Sequence, residues 1–162
     1  MSEILDDTAT GRILTCKVGM RWGDMDAYGH VNNVEILRIL EEARIHAFGP
    51  PGGTGGPGQE PLVPLFSALP AGTQALVVEH RVRYLAPLTY RNIPLDIDVW
   101  VSSLKAASVT IAYIVHDPVT GEACAKAETT IAFVAAGTGR LLRIDGEQKA
   151  LIRPFVGRPV FA

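Results

Sequence analysis

The sequence predicts an α+β domain in which one antiparallel sheet of five strands wraps around a single long helix. Two observations carry this. The segment 34–48 has helical spacing of its apolar residues, follows directly on an alternating strand pattern, and is the only element long enough to cover a sheet. Four more strand-like runs then follow in succession with no second long helix between them, which favours antiparallel pairing.

Residues 1–11 read as a frayed tail. From Arg12 to Trp22 the residues alternate, with Leu14, Cys16, Val18, Met20 and Trp22 on one face, as expected of a half-buried strand. Asn32 is placed to cap the helix, and Glu35 three positions on makes a capping-box pattern. Ile36, Ile39, Leu40, Ala43 and Ala47 form the apolar side, wide enough to predict burial on most of the helix circumference. Glu35, Arg38, Glu42 and His46 form a narrow polar stripe, on which Arg38 and Glu42 have the spacing of a salt bridge. Gly49-Pro50-Pro51 ends the helix.

Residues 49–72 are rich in glycine and proline and read as a lid or a disordered loop, with Leu62, Val63, Leu65, Phe66 and Leu69 able to pack its second half onto the body. This is no phosphate-binding loop, because the Gly-Lys-Ser/Thr ending is absent. Strands are expected at 74–84, over Ile93 to Val101, and at 107–116 and 122–134, the last two forming a hairpin across 117–121. Asp145 is placed to cap a short helix through Ile152. The sheet edges and outer face favour pairing with a second copy.

The chain of 162 residues reads as one domain, 1–162. A net charge of −2 gives no electrostatic case for nucleic acid or an acidic membrane. No apolar run is long enough to span a membrane, and the acidic start lacks the parts of a signal peptide, so a cytoplasmic protein is expected. Cys16 and Cys124 sit in strand-like runs and read as small buried residues. His80 and His116 show no ligand spacing, so no metal is expected. Arg81 and Arg83 read as a solvated strand face or a subunit contact.

The join between strand and helix concentrates the chemistry. Between Trp22 and Asn33 lie Asp24, Asp26, His30, Asn32 and two glycines, delivered to a helix N-terminus whose free N–H groups suit an anionic or polarised ligand. Thioester hydrolysis needs such a carbonyl polariser together with an attacking carboxylate or an activated water. Spacing alone favours a plainer account, in which both aspartates bond to nearby turn N–H groups.

The run Trp22-Gly23-Asp24-Met25-Asp26-Ala27-Tyr28-Gly29-His30-Val31-Asn32-Asn33 goes on to Leu37 and Glu41-Glu42-Ala43-Arg44. Tyr84-Leu85-Ala86-Pro87 and the stretch from Ala132-Phe133-Val134 to Thr138-Gly139-Arg140 accompany it. On these residues the chain resembles, over about 12–145, the hotdog-fold acyl-CoA thioesterases of the 4-hydroxybenzoyl-CoA thioesterase-like branch. The resemblance implies that Asp26 is nucleophile or general base and that the Asn33 N–H is the oxyanion donor. Gly29 then serves the backbone geometry, His30 lines the site, and Asp24 is a structural partner. Lys105 and Ser108, in the turn 103–108, are the matching coenzyme A contacts, often supplied by a neighbouring subunit. The implied substrate is an acyl-CoA with an apolar acyl group, without further cofactor, and the implied assembly is a homodimer or homotetramer. Glu41 and Glu42 are alternative carboxylates, since some hotdog thioesterases use one from the central helix. Two rival readings remain on the same fold: a non-catalytic acyl-binding or assembly module, and a thioester hydratase or dehydratase.

Overall fold

The computed structural model describes residues 11–51 and 60–161. Its strands are β1 (Leu14–Val18), β2 (Thr73–Tyr84), β3 (Leu95–Leu104), β4 (Ser108–His116) and β5 (Ala123–Ala135). Its α-helices are α1 (Asn33–Phe48) and α2 (Gly146–Ile152). The five strands form one sheet in the order β1-β3-β4-β5-β2, with every neighbour antiparallel. This is the hotdog architecture expected from the sequence.

Helix α1 lies on the inner face of the sheet and buries Ile36, Ile39, Leu40, Ala43, Ala47 and Phe48. These meet Cys16, Ile97, Val99, Ile111, Tyr113, Ala127 and Phe133 in one continuous core. Fully burying an Ile or Leu contributes roughly 1.5–3 kcal/mol, so this stripe, not helix propensity, holds α1 in place. Burial is one-sided: Val34, Leu37, Glu41 and Glu42 are exposed, against the expectation of burial around most of the helix. A five-stranded sheet covers one flank of a helix and leaves the other open.

Other boundaries also differ. β1 stops at Val18, and Trp22 begins a 3₁₀ turn with its side chain 74% exposed, so the alternating pattern outran the strand. The Asn32 side chain accepts from the Val34 N–H as a cap. No capping box forms, because the Glu35 carboxylate bonds to Arg21 and Arg38. Arg38 accordingly makes no pair with Glu42; it joins Glu35 and Asp24.

The segment after the helix returns along its C-terminal end, where Val63 N–H bonds to Ala47 O and Phe66 N–H to Phe48 O. Val63, Leu65 and Phe66 are buried there. Gly49 permits this approach: its φ is 88°, and a Cβ would stand 2.7 Å from Ser67 Cβ. The rest of the expected lid, 52–59, lies outside the described residues.

β2 is an edge strand with an irregular register. Val77 pairs with Ile131 and Glu79 with Thr130, leaving Val78 as an extra residue. Beyond α2, capped by Asp145 as expected, the chain crosses the outer face of the sheet. Gly157 N–H bonds to Val101 O, Trp100 Nε1–H donates to Arg158 O, and Val160 N–H reaches Glu128. Trp100 is buried by this strap. Among the described residues, no helix is long and apolar enough to cross a membrane.

Candidate active site

The loop from Arg21 to Asn32 is held at both ends. Asp24 is fully buried and accepts from the Arg21 N–H at 2.7 Å, from the Arg21 guanidinium at 3.0 and 3.1 Å, and from Arg38 at 2.8 Å. Burial acts to raise its pKa, but the Arg21 hydrogen bonds and the charges of Arg38 and Arg21 outweigh it and hold it below the ordinary value. The Asp24 carbonyl also accepts the Asn32 N–H at 2.7 Å, which fixes the residue that caps α1. Asp24 therefore ties loop to helix and has no oxygen left for chemistry.

Asp26 sits in a second turn within the same loop. Its Oδ1 accepts the N–H groups of Tyr28 at 2.8 Å and His30 at 3.2 Å, and its own N–H bonds to His30 O at 2.7 Å. Gly29 closes the turn with φ 77°, a left-handed value that favours glycine. The turn is pinned to the chain after β2, with Val31 N–H on Leu88 O and Tyr90 N–H on Gly29 O. The turn-aspartate account is thus correct for one oxygen. The other, Oδ2, accepts no hydrogen bond among the described residues.

Asp26 opens onto a cavity of about 560 Å³, a size ordinary for small-molecule sites. His30, Asn33, Ile36, Tyr84, Leu88 and Cys124 also line it. The helix start forms one wall. Asn32 takes the Val34 N–H through its side chain and the Glu35 N–H through its carbonyl. The Asn33 N–H, at the first helical position, has no carbonyl four residues back within the helix to bond. Tyr84, the last residue of β2, donates its hydroxyl to Asn33 O at 3.1 Å and joins the two walls, a contact that the sequence reading missed. Burial, followed by the charges of Glu122 and Asp117, pushes the thiol pKa of Cys124 up and so disfavours its thiolate. Burial does the same to Cys16, whose pKa is about 11.

Asp26, Gly29, His30 and Asn33 are therefore brought together. Lys105 and Ser108 are not. Ser108 pairs with Ala132, whereas Val115 pairs with Ala125 on the cavity wall. Seven strand steps separate these pairs, roughly 23 Å along β4. Glu41 and Glu42 are exposed, and the Glu41 carboxylate is 3.7 Å from Arg44. Neither lines the cavity. Among the described residues, no group of three or more His, Cys, Asp or Glu is placed to hold a metal ion.

A family model described as the thioesterase-like superfamily matches residues 20–158. Among solved structures, a predicted thioesterase from Bacillus stearothermophilus is similar at TM-score 0.70 and 21% identity, covering 91% of this chain and 99% of that one. A thioesterase from Thermus thermophilus, solved with coenzyme A and zinc, has TM-score 0.62 and 22% identity over 90% of this chain and 95% of its own. A DHNA-CoA thioesterase from Staphylococcus aureus has TM-score 0.64 and 16% identity over 82% and 81%. At these identities the likeness is one of fold. No curated protein sequence matches the chain.

Proposed function

The chain belongs to the thioesterase-like superfamily and is on that ground a thioester hydrolase; from this premise we propose that it hydrolyses acyl-CoA, with Asp26 as the reacting carboxylate. The observation that carries the reading is the division of labour within that carboxylate. One oxygen is anchored by two backbone N–H groups and the other accepts no hydrogen bond among the described residues, while Asp26 and the helix N-terminus at Asn32 and Asn33 line the same cavity.

In this mechanism the thioester carbonyl lies between Asp26 and the start of α1. The Asn33 N–H, backed by the positive end of the helix dipole, donates to the carbonyl oxygen as it gains charge. Asp26 then takes a proton from an attacking water, or attacks the carbonyl carbon itself to form a mixed anhydride that water opens. Either route ends in the free acid and the coenzyme thiol. Gly29 holds the turn that aims Asp26, and His30 lines the mouth. The apolar lining from Val31, Ile36, Leu88 and Ala125 suits an apolar acyl group, aliphatic or aromatic. The reading includes no metal and no cofactor beyond the coenzyme of the substrate.

The working unit in this reading is a cytoplasmic homodimer or homotetramer. The support is β2, a long edge strand that exposes Leu76, Val77 and Val78. Lys105 and Ser108 stand too far from the cavity to meet the coenzyme within one chain, and would meet it only if a neighbouring copy presented them.

The test is thiol release from short, medium, long and aromatic acyl-CoAs by wild type and Asp26→Asn. A folded variant should lose about two orders of magnitude in kcat or more. Undiminished hydrolysis by that variant would remove Asp26 from the reaction. No thiol from any substrate with wild type would favour the non-catalytic acyl-binding module.

A further inference from the structure

Coenzyme A carries its negative charge on phosphates at the far end from the thioester, and those groups need cations. Most cations around the cavity are committed: Arg21 and Arg38 to Asp24 and Glu35, and Arg91 to Asp117. Lys105 stands at the other end of the sheet. Three further cations stand beside the cavity wall on β2 and β5. Arg83 pairs in register with Lys126, one step from Tyr84 and Ala125 of the cavity wall, and Arg81 lies two residues before.

All three gather on the outer face of the sheet around one ring. Arg81 lies 4.1 Å from the centroid of Phe161, Arg83 at 5.4 Å and Lys126 at 5.4 Å. None of the three forms an ion pair among the described residues. Glu128, opposite Arg81 in the register, is turned to the Val160 N–H, and Lys126 reaches only the Val160 carbonyl at 3.4 Å. Cation–π contact orders the side chains but neutralises none of their charge. Phe161 is itself buried, so its face is not free to stack a base, and the patch recognises charge.

We propose that Arg81, Arg83 and Lys126 form the binding site for the phosphate groups of the substrate's coenzyme, whose arm leaves the cavity past the end of β2 at Leu85–Pro87. This rests on the acyl-CoA reading above. It assigns the coenzyme to cations of the chain that holds Asp26, not to the turn at Lys105.

The experiment compares steady-state hydrolysis of one acyl group carried on coenzyme A, on dephospho-coenzyme A and on pantetheine. Wild type should show a KM on the order of tenfold lower for the coenzyme A ester than for the pantetheine ester, a difference that high salt erodes. In Arg83→Gln and in Arg81→Gln that ratio should fall towards one, and Arg83→Lys should restore part of it. A wild-type ratio near one overturns the proposal, as does a ratio kept in both glutamine variants. A ratio abolished by Lys105→Gln alone overturns it too, placing the nucleotide on a neighbouring copy. If no thioester is hydrolysed, the acyl-CoA reading fails, and calorimetry decides the site separately. Adenosine 3′,5′-bisphosphate bound by wild type and lost in Arg83→Gln supports it. No binding by wild type, or binding kept in Arg83→Gln, overturns it.

Discussion

Two carboxylates in the loop before α1 stand two residues apart and have opposite fates. Asp24 is buried, meets two guanidinium groups and accepts through both oxygens. Among the described residues, Asp26 meets no cation and accepts through one oxygen only, from backbone N–H groups of its own turn. Residue type and local composition are the same for both. The difference lies in how many acceptor positions the fold uses up, and only a carboxylate with one to spare is available to a substrate.

The largest way to break this contrast is Asp24→Asn. It leaves the Arg38 charge facing a neutral amide at a buried site, which should cost about 3 kcal/mol in denaturant unfolding. A loss below ~1 kcal/mol would show that the arginines relax into solvent. Asp26→Asn should do the reverse, with stability held to within about 1 kcal/mol while kcat falls about a hundredfold. Asn32→Ala removes the cap that both halves of the loop converge on and should cost about 1 kcal/mol, read as a lower melting temperature.

Acid sharpens the comparison. The Asp24 pKa is held below the unfolded value of ~3.9, so its contribution is complete above that pH and is lost as pH falls through the folded value. Wild type should therefore lose stability below about pH 4 more steeply than Asp24→Asn, measured as denaturant midpoint against pH. Equal slopes would detach the ion pairs from acid stability. Smallest of all is Glu42→Gln, which alters an exposed carboxylate outside the cavity and should leave kcat within about twofold. A large loss would return the helix glutamate to the reaction.

What was legible in the sequence was local. The helix and its Asn32 cap, the β4–β5 hairpin and the Asp145 cap each depend on residues within a few positions of one another. The motif likewise put Asp26, Gly29, His30 and Asn33 within one loop and helix start, and the fold keeps them together. What failed was long-range. Arg38 had an acceptable partner four residues on, yet took one fourteen residues back, because only the folded loop brings a buried carboxylate to it. Trp100 alternates along β3 with the polar Asp96 and Asp98, and nothing near it in the sequence announces the strap that covers it. The turn at Lys105 matched as a sequence, but strand length sets its distance from the cavity. Tyr84 lies fifty-one residues from the carbonyl it bonds, beyond any periodicity.

The unpaired Val78 has an effect out of proportion to its place in the ladder. Side chains on a strand obey parity, with odd and even positions on opposite faces. Before Val78 the odd residues Ala75 and Val77 lie across from Phe133 and Ile131 of the core; after it the even residues His80, Val82 and Tyr84 face inward and odd Arg81 and Arg83 outward. One inserted residue thus inverts the reading frame of the remaining strand. Pairing Val78 with Thr130 as a regular ladder residue, and so shifting the rest of β2 by one, would exchange the two sets, driving two guanidinium groups towards the core and swinging the tyrosine away from Asn33.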